Sequence, residues 1–533
     1  MPAPHVPLIP SLALTVTAER LPDRVFVTDE QRRSVTYGEL ADRSARIAAL
    51  LDGIGVRRGD RVATMLDPGL DYLAVWFGVC ATGALEVPVN TAFSGDFLRH
   101  VLVDSGASAA IIDVKWLPRL VELSLPDLRT VVLVGAAGSA SASVGPDPLP
   151  FQTVWLSEAS RLRPAPRLAL RETDPGSVMY TSGTTGPSKG VLHTHRSFFT
   201  NSVSARTVAE LTEDDVAYSF FPLFHITARS FVLGASLLAE ASVLLRPHFS
   251  LSSFWEDVRG GGVTWFPAMG AVVHLLLAGE PSADDRAHRL RLVCASAVTP
   301  EVRRRFTERF GADMIDVYGM TETGTVSSQR IGAVRPGTSG TPLPHVQIAI
   351  HDEAGRPVEA STRGEIVVRP LEPDVIFRQY WGRPQETLEA CRDLWFHTGD
   401  AGYFDEHGEL VFVDRIKDAI RRRGENISSF EVERVVAEHP DVMKCAAYPV
   451  PSEWSEDEVM VSVVLRPGAT PAPDDLWQWC DAGLPAFAVP RFVRYADDLP
   501  VNASQRVLKH ELRALGVTPE TYDRTAQSAR TVP

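Results

Sequence analysis

The stretch Tyr180–Val191, YTSGTTGPSKGV, concentrates groups that hold a polyanion. Gly183, Gly186 and Gly190 let the backbone turn sharply and bring N–H groups close to a negative charge. The hydroxyls of Thr181, Ser182, Thr184, Thr185 and Ser188 add donors, and Lys189 adds a cation. This is a phosphate cradle by composition. It is not the GxxxxGK[ST] pattern of P-loop NTPases, because a glycine follows the lysine. A flexible linker shares this composition, but the stretch sits between an apolar run and a helix-like segment rather than between domains. A second chemical signal is LPVNASQRVLKHEL, Leu499–Leu512. It sets Arg506 and Lys509 three positions apart after a turn-prone run, in a chain whose other lysines are Lys115, Lys189, Lys417 and Lys444. Three further residues have both a chemical and a plain reading. Glu322 follows a Tyr-Gly-Met-Thr turn and alone would be a surface acid. Asp400 lies in TGDAG and alone would be a turn residue. His225, in PLFHITA, has the apolar neighbours of a core histidine.

Length and composition bound what those residues can serve. At 533 residues the chain is too long for one core. Apolar residues at 44% and charged residues at 23% are those of an ordinary globular protein. A formal charge of −14 argues against general binding to nucleic acid or anionic membranes, which want basic patches. Cys80, Cys294, Cys391, Cys445 and Cys480 are scattered, with no CxxC or Cys/His cluster, so neither a disulfide framework nor a zinc site is indicated. A reduced cytoplasm fits. The N-terminus lacks a basic lead and is broken by prolines, so it does not read as a signal peptide. No run of 18 apolar residues predicts a membrane span.

The elements that must position the chemistry alternate in type. Residues 37–51 carry apolar groups at helical spacing, with Thr36 as cap. RVATML, AAIIDV, TVVLVG, ASVLLRP, VTWFPAM, LRLVCAS and MIDVYGM read as short strands separated by helix-length segments such as DYLAVWFGVCATGA. That alternation predicts an α/β fold with largely parallel sheets covered by helices. Gly135–Pro150 reads as a surface loop. Past about Asp414 the segments shorten into a separate α+β module. The expected division is a large N-terminal domain, 1–413, a hinge, 414–417, a mobile C-terminal domain, 418–517, and a polar frayed tail from Thr518.

YTSGTTGPSKG resembles the phosphate-binding signature of the adenylate-forming superfamily, which includes acyl-CoA synthetases, peptide adenylation domains and firefly luciferase. YGMTE (Tyr318–Glu322), HTGD (His397–Asp400), DRIKDAIRRRGENISSFEVE (Asp414–Glu433) and VPRFVRYADDLP (Val489–Pro500) resemble later signatures, in family order. TYGEL and GVRRGDRVA fit the early part. RGENIS and PLFHI lean toward carnitine/crotonobetaine-type CoA ligases. The resemblance implies two half-reactions: a carboxylic acid and ATP give an acyl-adenylate, then coenzyme A takes the acyl group and releases AMP. The small domain rotates between them.

The resemblance also implies roles. Thr184 and Glu322 would hold Mg²⁺, and Thr321 would donate to the α-phosphate. Asp400 and Arg415 would reach the ribose. Tyr318 would stack on adenine, with Ala295, Ser296 and Ala297 lining the base and acyl pocket. Asp316, Gly319, Met320 and Phe412 complete the expected nucleotide contacts, and Gly319 also faces the acyl group. His225 would shape the path between thiol and acyl carbon, and Phe266, Pro267 and Met269 would wall the pocket. Lys417 falls at the hinge, and Gly424, Glu425 and Asn426 would approach the pantetheine arm. Arg421, Arg422 and Arg423 would meet phosphates of coenzyme A or form a solvated face.

One position departs from the pattern. The family places a Gly-Lys pair near the C-terminus, with a basic residue three positions later, and its lysine serves adenylation. Here Gln505-Arg506 stands at the pair and Lys509 at the later position. A guanidinium is a broad fork and an ammonium a compact donor. The expectation is impaired adenylation with intact thioesterification from preformed acyl-AMP, supplied by a partner adenylating enzyme. The alternatives are a complete ATP-dependent ligase, an adenylation enzyme loading a carrier protein, and a non-catalytic adenylate binder.

Overall fold

The computed structural model describes residues 7–135, 149–181, 188–296, 298–416, 420–422, 425–452, 457–502 and 507–525. Among them, an eight-stranded sheet runs in the order Gln379–Tyr380, Gly190–Thr194, Pro175–Tyr180, Leu85–Pro88, Arg61–Met65, Ala109–Asp113, Thr130–Val134, Gln152–Trp155. A nine-stranded sheet has Trp265–Met269, Leu292–Ser296 and Asp313–Met320 as consecutive parallel neighbours. Strands Val346–His351, Gly364–Pro370, Phe396–Phe404 and Leu410–Arg415 form a third, antiparallel sheet. The α/β reading, a large parallel-rich domain and a smaller second one, is the fold observed.

Periodicity explains the layers. In Arg61–Met65, Val62 joins one apolar cluster, while Ala63 and Met65 join another on the opposite face. Ala109 and Ile111 divide from Ala110 and Ile112 in the same way. Strands with both faces covered are apolar throughout, as central parallel strands must be. The helix Tyr37–Gly53 starts where expected: the Thr36 hydroxyl accepts from Glu39 N–H at 3.1 Å, and Glu39 returns the bond to Thr36 N–H at 2.9 Å.

The small domain packs helices Ser429–Ala437 and Pro473–Gly483 on a sheet of Val442–Pro451, Asp457–Leu465, Phe492–Tyr495 and Tyr522–Asp523. As far as the described residues reach, to 525, the last of these strands corrects the frayed tail. Tyr522 and Asp523 pair with Val493 and Phe492, and Asp523 holds the Arg491 guanidinium at 3.0 Å. Polarity suggested fraying, but the polar groups are the ones that dock. Most of the loop expected at 135–150 lies outside the described residues. Among the described residues no helix is long and apolar enough to cross a membrane.

Candidate active site

The site is built at the carboxyl ends of parallel strands, where open α/β sheets bind ligands. Ala295 pairs with Asp316, and Met269 pairs with Ser296, so three strand ends lie side by side. The Ser296 hydroxyl donates to Val317 C=O at 2.9 Å. Asp313–Met320 then turns back into Gly324–Ser328. The turn is tight: a Cβ on Gly319 would sit 2.2 Å from Gly324 O, so only glycine fits there. Met320, Thr321 and Glu322 ride on this turn.

Asp400 closes one side. Tyr318 donates its hydroxyl to Asp400 Oδ2 at 2.8 Å, and Arg415 Nε stands 3.2 Å from Oδ1. The Tyr318 ring faces Phe412 at 6.0 Å between centroids. Tyr318, Asp400, Phe412 and Arg415 therefore form one cluster, although they are read from separate motifs. Glu365, which the motifs did not single out, positions the turn before Asp400. Its two oxygens meet Gly399 N–H at 3.1 Å and His397 Nδ1 at 2.7 Å. Asp316 lies beneath, accepting from the Ser339 hydroxyl at 2.7 Å, and burial pushes its carboxyl up to about 7.

Glu322 Oε1 accepts from the Tyr380 hydroxyl at 3.0 Å. Lys189 Nζ lies 5.2 Å over the Tyr380 ring and pairs with Glu386 Oε2 at 2.5 Å. The candidate metal carboxylate and the phosphate stretch's cation thus flank one phenol. Arg383 continues the chain of contacts to Glu386 at 3.0 Å and Asp104 at 3.3 Å, and Tyr180 donates to Asp104 at 2.7 Å. Thr181 N–H donates to Lys189 C=O at 3.0 Å, closing the base of the stretch between them. Ser182, Gly183, Thr184, Thr185 and Gly186 lie outside the described residues. Among the described residues no three His, Cys, Asp or Glu side chains form a metal cluster. Glu322 nevertheless fits Mg²⁺, which favours one or two carboxylates plus substrate phosphates.

His225 stands on the loop before a π-helix, Thr227–Gly234, a widened helical form frequent at functional sites. Its Nδ1 accepts from Thr227 N–H at 3.3 Å, and burial pushes the imidazole down to about 4, so it is neutral near pH 7. Phe266 is wholly buried, 5.2 Å from Phe254 between centroids. Met269 is only half-buried at its strand end.

Lys509 begins the helix Lys509–Leu515 in the small domain. Its ammonium is 2.8 Å from Glu433 Oε1 and donates to the Ser429 hydroxyl at 2.6 Å. Ser429 in turn donates through Oγ and N–H to Asp414 Oδ2, at 2.7 and 2.6 Å. Lys509 is thus spoken for within its own domain, and through Ser429 it is linked to Asp414, the neighbour of Arg415. Ala297, Lys417, Gly424 and Arg506 lie outside the described residues, as do the side chains of Glu425 and Asn426.

Residues 14–381 match the AMP-binding enzyme family, and residues 431–506 match the AMP-binding enzyme C-terminal domain. The crotonobetaine/carnitine–CoA ligase of Salmonella enteritidis PT4 is 30% identical over 490 residues, covering 90% of this chain and 93% of the relative. The o-succinylbenzoate coenzyme A synthetase of Bacillus subtilis, solved with AMP, is 25% identical with a TM-score of 0.78, covering 94% of this chain and 98% of the other. An anthranilate CoA ligase solved with anthranoyl-AMP shares the fold at a TM-score of 0.86 and 23% identity, covering 97% and 99% of the two chains.

Proposed function

The chain belongs to the AMP-binding enzyme family, and on that premise we propose that it is an acyl-CoA ligase working through an acyl-adenylate, competent mainly in the second half-reaction. The relatives' coverage of nearly the whole chain supports the ligase reading. Asp400 takes the ribose hydroxyls, replacing the Tyr318 and Arg415 contacts it makes now. The Tyr318 and Phe412 rings and the strand end at Ala295–Ser296 receive adenine. Glu322 and Thr184 hold Mg²⁺, which when bound spreads phosphate charge. Lys189 exchanges Glu386 for a phosphate oxygen. In adenylation the acid's carboxylate oxygen attacks the α-phosphorus and pyrophosphate leaves. In thioesterification the thiol of coenzyme A gives its proton to solvent, its sulfur attacks the acyl carbon, the bond to the phosphate oxygen breaks and AMP leaves. The neutral imidazole of His225 lines that path. Gly424–Asn426 approach the pantetheine arm, and Lys417 is the hinge. Five unpaired cysteines fit a cytoplasmic enzyme.

The observation that carries the half-reaction assignment is the pairing of Lys509 with Glu433 and Ser429. It leaves Arg506 as the cation available to the family's lysine position. Misplacing one charge-stabilising donor costs roughly 10²–10³ in rate. A partner adenylating enzyme then supplies the acyl-AMP. The test uses crotonobetaine, anthranilate, benzoate and o-succinylbenzoate, each as acid with ATP and as synthetic adenylate with coenzyme A. Slow pyrophosphate release, rapid acyl-CoA formation from an adenylate, and faster pyrophosphate release in Arg506→Lys are expected. Brisk pyrophosphate release by the wild type, with no advantage for acyl-AMP, overturns the assignment and leaves a complete ATP-dependent ligase.

A further inference from the structure

A buried ion pair lies just behind His225, in residues that no signature contains. Arg229, inside the π-helix, and Glu86, in strand Leu85–Pro88, are 1% and 2% exposed at their side chains. Arg229 Nη2 donates to Glu86 Oε1 at 2.6 Å, and Nη1 meets the other carboxylate oxygen. Nε donates to the carbonyl of Leu223, two residues before His225. The guanidinium lies 5.0 Å from the Tyr72 ring centroid and 5.2 Å from that of Trp76. Glu86 is itself held by the Thr64 hydroxyl at 2.6 Å, from the neighbouring strand.

Stability is a poor reason for this arrangement. Replacing a buried ion pair with apolar groups is often neutral or stabilising, because desolvation offsets the attraction. What the pair supplies is geometry. Glu86 pairs in register with Ser177, on the strand Pro175–Tyr180 that leads into the phosphate stretch. Leu223 belongs to the loop that presents His225. One planar fork therefore ties the sheet carrying the phosphate stretch to the loop facing the thiol path. The loop's own bonds are local: His225 N–H donates to Pro222 C=O at 2.9 Å, and Arg229 N–H reaches His225 C=O at 3.5 Å. Arg229 ties it to the sheet through Leu223 and Glu86.

We infer that Arg229, anchored by Glu86, is a positioning residue for His225 that sets the rate of the thioester-forming step without touching either substrate. The inference rests on the reading of His225 given under the proposed function. Lysine keeps the charge for Glu86 but cannot also reach the Leu223 carbonyl in a planar fork.

The experiment is a double-mutant cycle of Arg229→Lys and His225→Ala. It is read on acyl-CoA formation from coenzyme A and whichever of the four adenylates turns over fastest, with adenylate Kd and thermal midpoint measured alongside. Arg229→Lys should lower kcat roughly tenfold, since small displacements at a reacting centre cost up to about 10²-fold. Adenylate Kd should stay within about twofold, and the double variant should be no slower than His225→Ala alone. Multiplying losses in the double variant, or a matching loss of adenylate affinity, would overturn the inference while leaving His225 its role. Unimpaired turnover in His225→Ala would overturn that role and the inference together. If Arg229→Lys does not fold, Glu86→Gln/Arg229→Met removes both charges at once and enters the same cycle with the same outcomes.

Discussion

Two cation–carboxylate pairs flank the site, and they differ in what surrounds them. Arg229 and Glu86 are sealed in the core between Tyr72 and Trp76. Lys189 and Glu386 sit at the mouth, with side chains 42% and 32% exposed. Water can replace either partner of the second pair, so it can open, and under the proposed function a phosphate would take the place of Glu386. Nothing can replace a partner of the first, so it behaves as part of the framework. Charge pairs of the same type thus serve opposite purposes according to burial.

The comparison breaks most visibly at Glu86. Glu86→Ala strands a buried guanidinium and should cost about 3–5 kcal/mol of stability, read as a large fall in the denaturant midpoint. An unchanged midpoint would mean that Arg229 finds another partner. Next in size is Asp400→Ala, which removes a charged acceptor. It should weaken adenylate binding by roughly 10–100-fold, as charged hydrogen bonds are worth about 1.5–3 kcal/mol. Glu322→Ala should instead slow mainly the step that needs Mg²⁺ and ATP. Calorimetric titration with an adenylate separates the two, and equal binding losses would merge their roles.

Acid probes the buried side. His195, which lines a small cavity with Glu86, and His225 are both pushed down to about 4 by burial. Their folded values lie below the unfolded value near 6.5. Their contribution to stability is therefore complete above pH 6.5 and is lost as pH falls toward 4, because the unfolded chain takes up the protons. Thermal midpoints measured from pH 7.5 to 5 should decline, and His195→Asn should flatten the slope. A slope unaltered by that change would assign the loss elsewhere. The smallest effect belongs to the exposed pair. Glu386→Gln should change stability by less than about 1 kcal/mol, while shifting the KM for MgATP in a salt-dependent way. A stability loss as large as that of Glu86→Ala would erase the distinction between the pairs.

How much of this was legible in the sequence follows from range. The helix Tyr37–Gly53 and the strand Arg61–Met65 were legible because cap and periodicity are local. Tyr318, Glu322 and Asp400 stood out because each sits in a short signature, but the Tyr318–Asp400 contact joins two signatures and could not be read from either. Glu365 and Tyr380 were not, since their partners lie in distant strands and turns. Near residues 220–229 no acid was apparent in the sequence, and indeed none there faces Arg229; Glu86 arrives from 143 positions away. A lone carboxylate in the apolar run ALEVPVN was the available hint. Lys509 shows the same limit: its spacing from Arg506 was plain, but its partner Glu433 was not.

Asp414 ties the large domain's last strand to the first turn of the small domain. It ends a strand of the large domain's antiparallel sheet, yet it accepts from the first turn of the helix Ser429–Ala437 across the chain's crossing point. The helix keeps its own cap, Ser428, whose hydroxyl accepts from Glu431 N–H at 3.2 Å, so under the proposed rotation about Lys417 the bonds that would break are those to Asp414. Hydrogen bonds to a charged group are worth about 1.5–3 kcal/mol, which corresponds to roughly a 10- to 100-fold preference in population. A carboxylate that never meets a substrate would thus bias which posture the small domain holds under the proposed rotation, and Asp414→Ala should raise the population of the turned one.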